Sequence, residues 1–273
     1  MSTGPTRVFM LAVLCATGSL AQAQQEPQSA RDFCIKVPAA EVVDFEAYVR
    51  DVVVPLNQVR ADSGEFVWSI VLRGVVPVGA SARCDYHIVY GYKGDPGETP
   101  STEQLGAALK KANINLTAEA LLARRASLSQ LVGLDIWTQI AAAGQGAQVG
   151  NYVQLNHYST KPRGAEEWSR LETTYWKPLV EAWNNAGGKG AWIVHYLRMP
   201  IGDDLPYNAL TVDIFPDWNG FLQGVPLTEL WPKVNPRMEL TELFDRLDAV
   251  RSVHDREVYK VIAMVAAKNA GSN

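Results

Sequence analysis

The sequence predicts an α+β chain built from two tandem copies of one unit, and three observations carry that reading. First, "LVGLDIWTQIA" at residues 131–141 lies over "VHDREVYKVIA" at 253–263 without a gap, setting Asp135 on Glu257, Ile136 on Val258, Trp137 on Tyr259 and Ile140 on Ile262. Second, the match extends outward at the same spacing, with Arg124 on Arg246 and Leu121 on Leu243. It returns upstream with shifts of a residue or two: "VPVG" at 76–79 answers "MPIG" at 199–202, and Pro55-Leu56 answers Pro178-Leu179. Third, both copies pass through the same succession of strand-like and helix-like periodicities.

The elements follow in order. "FCIKV" and "NYVQLNHYS" open the copies as strands. Phe45, Tyr48, Val52 and Leu56 then recur at three and four residues, as do Trp168, Leu171, Tyr175 and Leu179, which marks an amphipathic helix in each copy. Pro55 and Pro178 fall inside those helical patterns, where a proline loses a backbone hydrogen bond and kinks or ends the helix. Two β-rich runs joined by a short Pro/Gly loop come next, "FVWSIVLRG" with "CDYHIVYGY" and "AWIVHYLRM" with "YNALTVDIF". Helical stretches follow, "STEQLGAALKKA" and "TAEALLARRASL" in the first copy, "LTELWPKV" and "LTELFDRLDAV" in the second. The two aligned stretches close the copies as last strands.

Strand, helix, strand, strand, helix, strand is the split βαβ, ferredoxin-like arrangement. One such unit has helices on one face of its sheet and leaves the other face bare, so the second copy is expected to cover it, sheet to sheet. This tandem order resembles the dimeric α+β barrel superfamily, in which two ferredoxin-like units, from two chains or fused in one, enclose a central cavity. The resemblance covers almost the whole chain beyond its first segment and rests on element order. It implies a shape and leaves the chemistry open: members include cofactor-free monooxygenases, haem-binding peroxidases and chlorite-degrading enzymes, muconolactone isomerases and small ligand-binding proteins.

Residues 1–23 read as a secretory signal peptide, with Arg7, an apolar run from Val8 to Ala16 and the small-residue pattern Ala21-Gln-Ala23. The run is too short to span a bilayer, and no later segment offers a membrane span. The expected division is therefore a signal at 1–23, a first ferredoxin-like unit at 24–148 and a second at 149–273, in a soluble protein that is secreted or periplasmic. Hydrophobic content of 47% with 20% charged residues is that of a chain with a substantial core. A formal charge of -4 without a basic block argues against nucleic acid as a partner. Export puts Cys34 and Cys84 in an oxidising compartment, where a disulfide between them is expected and two buried thiols are the alternative.

Strand alternation sorts the candidate site residues. Tyr86, Ile88, Tyr90 and Tyr92 share one face of their strand and Arg83, Asp85, His87 and Val89 the other, so Asp85 and His87 are expected to face the space between the sheets. There His87 would serve as a general acid or base and Asp85 would orient it. Asp135 with Trp137, and Glu257 with Tyr259, give each half a carboxylate and an aromatic wall for a ligand; the other reading makes the aromatics core and leaves the acids in solvent. His195 is a further candidate for ligand contact, and Arg73, at a strand end, would pair with a ligand carboxylate at the cavity mouth unless it is an ordinary surface arginine. No HExxH or HxH spacing occurs, so no metal site is expected, nor does any motif call for a cofactor. GxSxG and GxxxxGK[ST] are absent as well.

The expectation is thus an exported protein that binds a small apolar or aromatic molecule between two sheets, with cofactor-free oxygenation or isomerisation as the reactions one acid or base would serve. Two alternatives stay open: a structural or interaction protein with a filled core, and a haem-binding protein. The sequence leaves the oligomeric state and the ligand's identity undetermined.

Overall fold

The computed structural model describes residues 28–188, 190–202 and 205–268, so the expected signal at 1–23 lies outside the described residues. Strand β1 (Gln28–Lys36) pairs antiparallel with β3 (Tyr86–Lys93) on one side and with β4 (Gln130–Gly144) on the other, and β2 (Trp68–Val76) pairs with β3. The first four strands therefore lie in the order β4-β1-β3-β2. Strands β5 (Tyr152–Thr160), β6 (Ala191–Met199), β7 (Ala209–Phe215) and β8 (Arg251–Ala266) repeat it as β8-β5-β7-β6. Each unit is ferredoxin-like.

The two sheets do more than stack. Edge strand β2 pairs with β8 of the second unit and β4 pairs with β6, closing all eight strands into one barrel. An open sheet edge carries a row of unpaired backbone groups, and closure removes it. A β-bulge interrupts the register at both seams, between Val71 and Leu72 and between Gln139 and Ala141, and bulges supply the local bend that a closing sheet needs.

Helices cover the outside of the barrel. In the first unit these are α1 (Val42–Tyr48), α2 (Val54–Asp62), α3 (Thr102–Lys111) and α4 (Ala118–Leu128); in the second, α5 (Ala165–Leu171), α6 (Lys177–Asn185), α7 (Trp218–Gln223), α8 (Leu227–Val234) and α9 (Leu240–Val250). The two internal prolines do not end their helices. A single π-turn precedes each, Val49–Val53 and Glu172–Trp176, in which the N–H of Val54 reaches back to Val49 O and that of Lys177 to Glu172 O. Pro55 and Pro178 then fall in the first turn of the continuing helix, where a missing N–H costs nothing. The repeat extends to the peptide bonds, since Val76-Pro77 and Met199-Pro200 are both cis.

Among the described residues four apolar clusters form, the smallest around Phe66 and Tyr92. One fills the space between helices and sheet in the first unit around Phe45, Leu109 and Leu121, and one does so in the second around Trp168, Leu179 and Leu243. The third lies inside the barrel around Ile70, Leu72, Trp137, Leu155 and Val261. Cys34 and Cys84 form a disulfide that ties β1 to the segment entering β3.

Candidate functional site

Alternation along the strands sends Ala30, Asp32, Ile70, Leu72, His87, Trp137, Leu155, His195 and Tyr259 into the barrel, and the interior divides into two parts. At the end where β4 and β8 finish, a cavity of about 310 Å³ is walled by Trp68, Ile70, Leu72, Trp137, Leu155 and Leu210, with Asp32, Gln139 and His195 as polar members of its lining. The middle and the opposite end are filled by a buried polar network.

The network starts at the cavity wall. His87 Nδ1 lies 2.7 Å from Asp32 Oδ1, with the imidazole wholly buried and edge-on to Tyr259. The Tyr259 hydroxyl donates to Glu257 Oε2 at 2.8 Å, and the backbone N–H of Arg83 donates to Glu257 Oε1 at 3.2 Å. The guanidinium of Arg83 reaches Asp135 Oδ2 at 3.2 Å, and the Tyr207 hydroxyl donates to the same oxygen at 2.7 Å. Tyr207 stacks on Trp137 with ring centroids 5.9 Å apart and lies under the Arg83 guanidinium. Beyond them His157 Nδ1 stands 2.5 Å from Asp255 Oδ1. Burial is the largest influence on His195, and it holds the imidazole down to about 4 against the opposing pull of Asp32. The ring is therefore neutral at ordinary pH, and its Nδ1 is buried without a hydrogen-bonding partner. Burial likewise pushes the Tyr259 and Tyr207 hydroxyls up, so both remain proton donors to their carboxylates. Burial alone would raise Asp255, yet the His157 hydrogen bond and the nearby charges of His254 and Arg83 hold it below the usual carboxylate range.

The residues expected at the site distribute as follows. His87, Asp135, Trp137, Glu257, Tyr259 and His195 are all buried inside the barrel, so the acids are not strand-end groups in solvent. Asp85 does not orient His87. It precedes the first paired residue of β3, and its carboxylate turns to the outer end of the sheet, where Lys36 Nζ lies 3.2 Å away and the Val37 N–H donates at 2.9 Å. Asp32 takes the place expected of Asp85. It lies one diagonal step from His87, because Cys34 is the cross-strand neighbour of His87 and Asp32 is two residues along the same face. Arg73 also departs from expectation: Leu72 occupies the inward position, so Arg73 points outward and pairs with Glu46 at 3.2 Å. Asp32, Tyr207 and Asp255 are network members that the sequence did not single out.

No family model matches the sequence, and no curated protein does. Solved structures do match. A candidate monooxygenase from Lactobacillus acidophilus NCFM superposes with a TM-score of 0.52 at 11% identity, over 88% of this chain and 96% of that one. A second candidate monooxygenase, from Fusobacterium nucleatum subsp. nucleatum ATCC 25586, gives a TM-score of 0.53 at 12% identity, over 88% of this chain and 94% of that one. The chain shares with them the fold of a dimeric α+β barrel, closed here from two ferredoxin-like units in one chain. At such identities the likeness is one of fold, and the barrel's chemistry has to be argued from its own residues. Among the described residues no helix is long and apolar enough to cross a membrane.

Proposed function

We propose that the barrel binds a small apolar or aromatic molecule between its two ferredoxin-like sheets, with the Asp32–His87 pair and neutral His195 available for proton transfer to it. The observation that carries this reading is the 310 Å³ cavity, whose walls are apolar and whose lining includes a buried carboxylate and a buried imidazole. A volume at the lower end of the small-molecule range suits a one- or two-ring compound, and the tetrapyrrole of a haem exceeds it. A carboxylate backed by an imidazole at the wall of a water-poor cavity suits reactions that need one acid or base, isomerisation or cofactor-free oxygenation. The Cys34–Cys84 disulfide supports a working place outside the cytosol, secreted or periplasmic.

Titration with 1-naphthol, followed by tryptophan fluorescence, tests the reading. Trp68 and Trp137 line the cavity, so binding quenches emission, and Ala191→Phe, which puts a ring into the cavity wall, abolishes the quenching. Undiminished binding by Ala191→Phe would remove the barrel interior as the seat.

A second reading has an observation of its own. Between the first unit's sheet and helices lies a cleft of about 450 Å³ in which Arg31, Arg60 and Arg125 join an apolar lining free of carboxylates. The corresponding space of the second unit is packed around Trp168 and Trp231. An apolar anion bound in this cleft would be retained by Ala191→Phe.

A further inference from the structure

At the barrel end opposite the cavity the strands bring together a donor set that no spacing in the sequence announces. His157 on β5 and Asp255 on β8 are direct cross-strand partners, and Glu257 follows two residues later on the same inward face. One ligand atom from each of the three lies within 4.8 Å of the other two. The imidazole is wholly buried, and its Nδ1, 2.5 Å from Asp255 Oδ1, is the nitrogen turned toward the carboxylates. Charge points the same way. Three carboxylates, Asp135, Asp255 and Glu257, belong to this part of the network, and the Arg83 guanidinium is spent on Asp135. Glu257 is left with neutral donors, the Tyr259 hydroxyl and the Arg83 backbone N–H, and a buried carboxylate without a cation is costly.

We propose that His157, Asp255 and Glu257 form a site for one divalent cation of the zinc type. A mixed imidazole and carboxylate set suits such an ion, and three protein ligands leave a fourth position open. Ligand atoms at about 2.1 Å from a tetrahedral ion stand about 3.4 Å apart, so His157 Nδ1 and Asp255, 2.5 Å from each other, part slightly to admit the ion while Glu257 draws in. The supporting contacts are in place: Tyr259 and the Arg83 N–H fix the two oxygens of Glu257. Asp255 is half-buried beside the exposed ring of His254, which gives an ion a way in. The site is independent of the cavity reading, because it lies at the other end of the barrel.

The test is zinc chloride added to the full chain after treatment with a chelator, read by elemental analysis of the desalted protein, by calorimetry and by the unfolding temperature. The expected result is one zinc per chain, a raised unfolding temperature, and affinity lower by at least 100-fold in His157→Ala and in Glu257→Gln. His254→Ala should keep wild-type stoichiometry. Absence of stoichiometric binding by the wild type at millimolar zinc overturns the site, as does binding that survives Glu257→Gln, the variant closest in shape. Loss that follows His254→Ala overturns it in favour of a surface pair.

Discussion

His195 and Asp32 stand beside each other at the cavity wall, and neither has a polar counterpart in the other half of the molecule. Following the pairings around the barrel, Leu72 holds in the first unit the place His195 holds in the second, and Leu155 answers Asp32. His195 thus sits in a place where its own fold elsewhere accepts a leucine. Its imidazole is held at about 4, below the 6.5 of an unfolded histidine, so between those values the folded chain binds fewer protons than the unfolded one. The sign follows: its contribution to stability is present above pH 6.5 and is lost as pH falls through about 4. The size is about 3 kcal/mol, and urea unfolding at a series of pH values should show that slope diminished in His195→Leu. Asp32→Ala leaves the buried His87 without its partner and should cost about 3 kcal/mol, measured the same way. At this scale the sequence was partly legible. Asp135, Trp137, Glu257 and Tyr259 could be placed because the repeat aligned them and alternation fixed their face. Asp32 could not, because β1 begins at Gln28, and its first residues, Gln-Ser-Ala-Arg-Asp, lack the apolar alternation that marks a strand. Asp85 misled because alternation was carried one residue past the end of the pairing.

At the scale of elements, the paired π-turns show why a proline in a helical pattern need not end the helix. An N–H that skips one residue further back opens the turn, and the proline ring meets no carbonyl it would strike. The periodicity revealed the helices, and the π-turns were hidden because one extra residue per turn barely disturbs a pattern of threes and fours. The end of β4 offers a sharper test. Gly144 has φ +88, and a Cβ there would come within 2.2 Å of the Gly190 carbonyl oxygen, a backbone atom that cannot swing aside. Gly144→Ala should therefore destabilise the fold by more than about 1 kcal/mol and open the β4–β6 seam, read as faster amide exchange at Ala142 and Ala191. The disulfide closes a loop with a sequence separation of 50 residues. Chain entropy puts the loss on reduction near 4 kcal/mol as an upper figure, and a lowered urea midpoint of the Cys34→Ala, Cys84→Ala double variant would measure it.

At the scale of the molecule, duplication was readable and closure was not. Element order gave two units with bare sheet faces, but whether two such sheets stack or join at their edges depends on β2 meeting β8 and β4 meeting β6, pairings between segments far apart in the chain. The joined edges also mean that neither unit has a finished surface alone. Residues 28–148 expressed by themselves should self-associate through the freed β2 and β4 edges, and sedimentation should show dimers or larger species in place of a monomer. The two halves are locked further by exchange at the barrel end: Tyr207 of the second unit donates to Asp135 of the first, and Arg83 of the first donates to Glu257 of the second.

The pairing of Asp32 and His195 against two leucines has a last consequence. In a barrel made from two identical chains, a guest lying on the two-fold axis can enter in either of two equivalent poses. Fusion has freed this chain from that degeneracy, for the polar groups stand on one flank of the cavity and Leu72 and Leu155 on the other. A guest with one polar end, bound as proposed above, would therefore be held in one orientation.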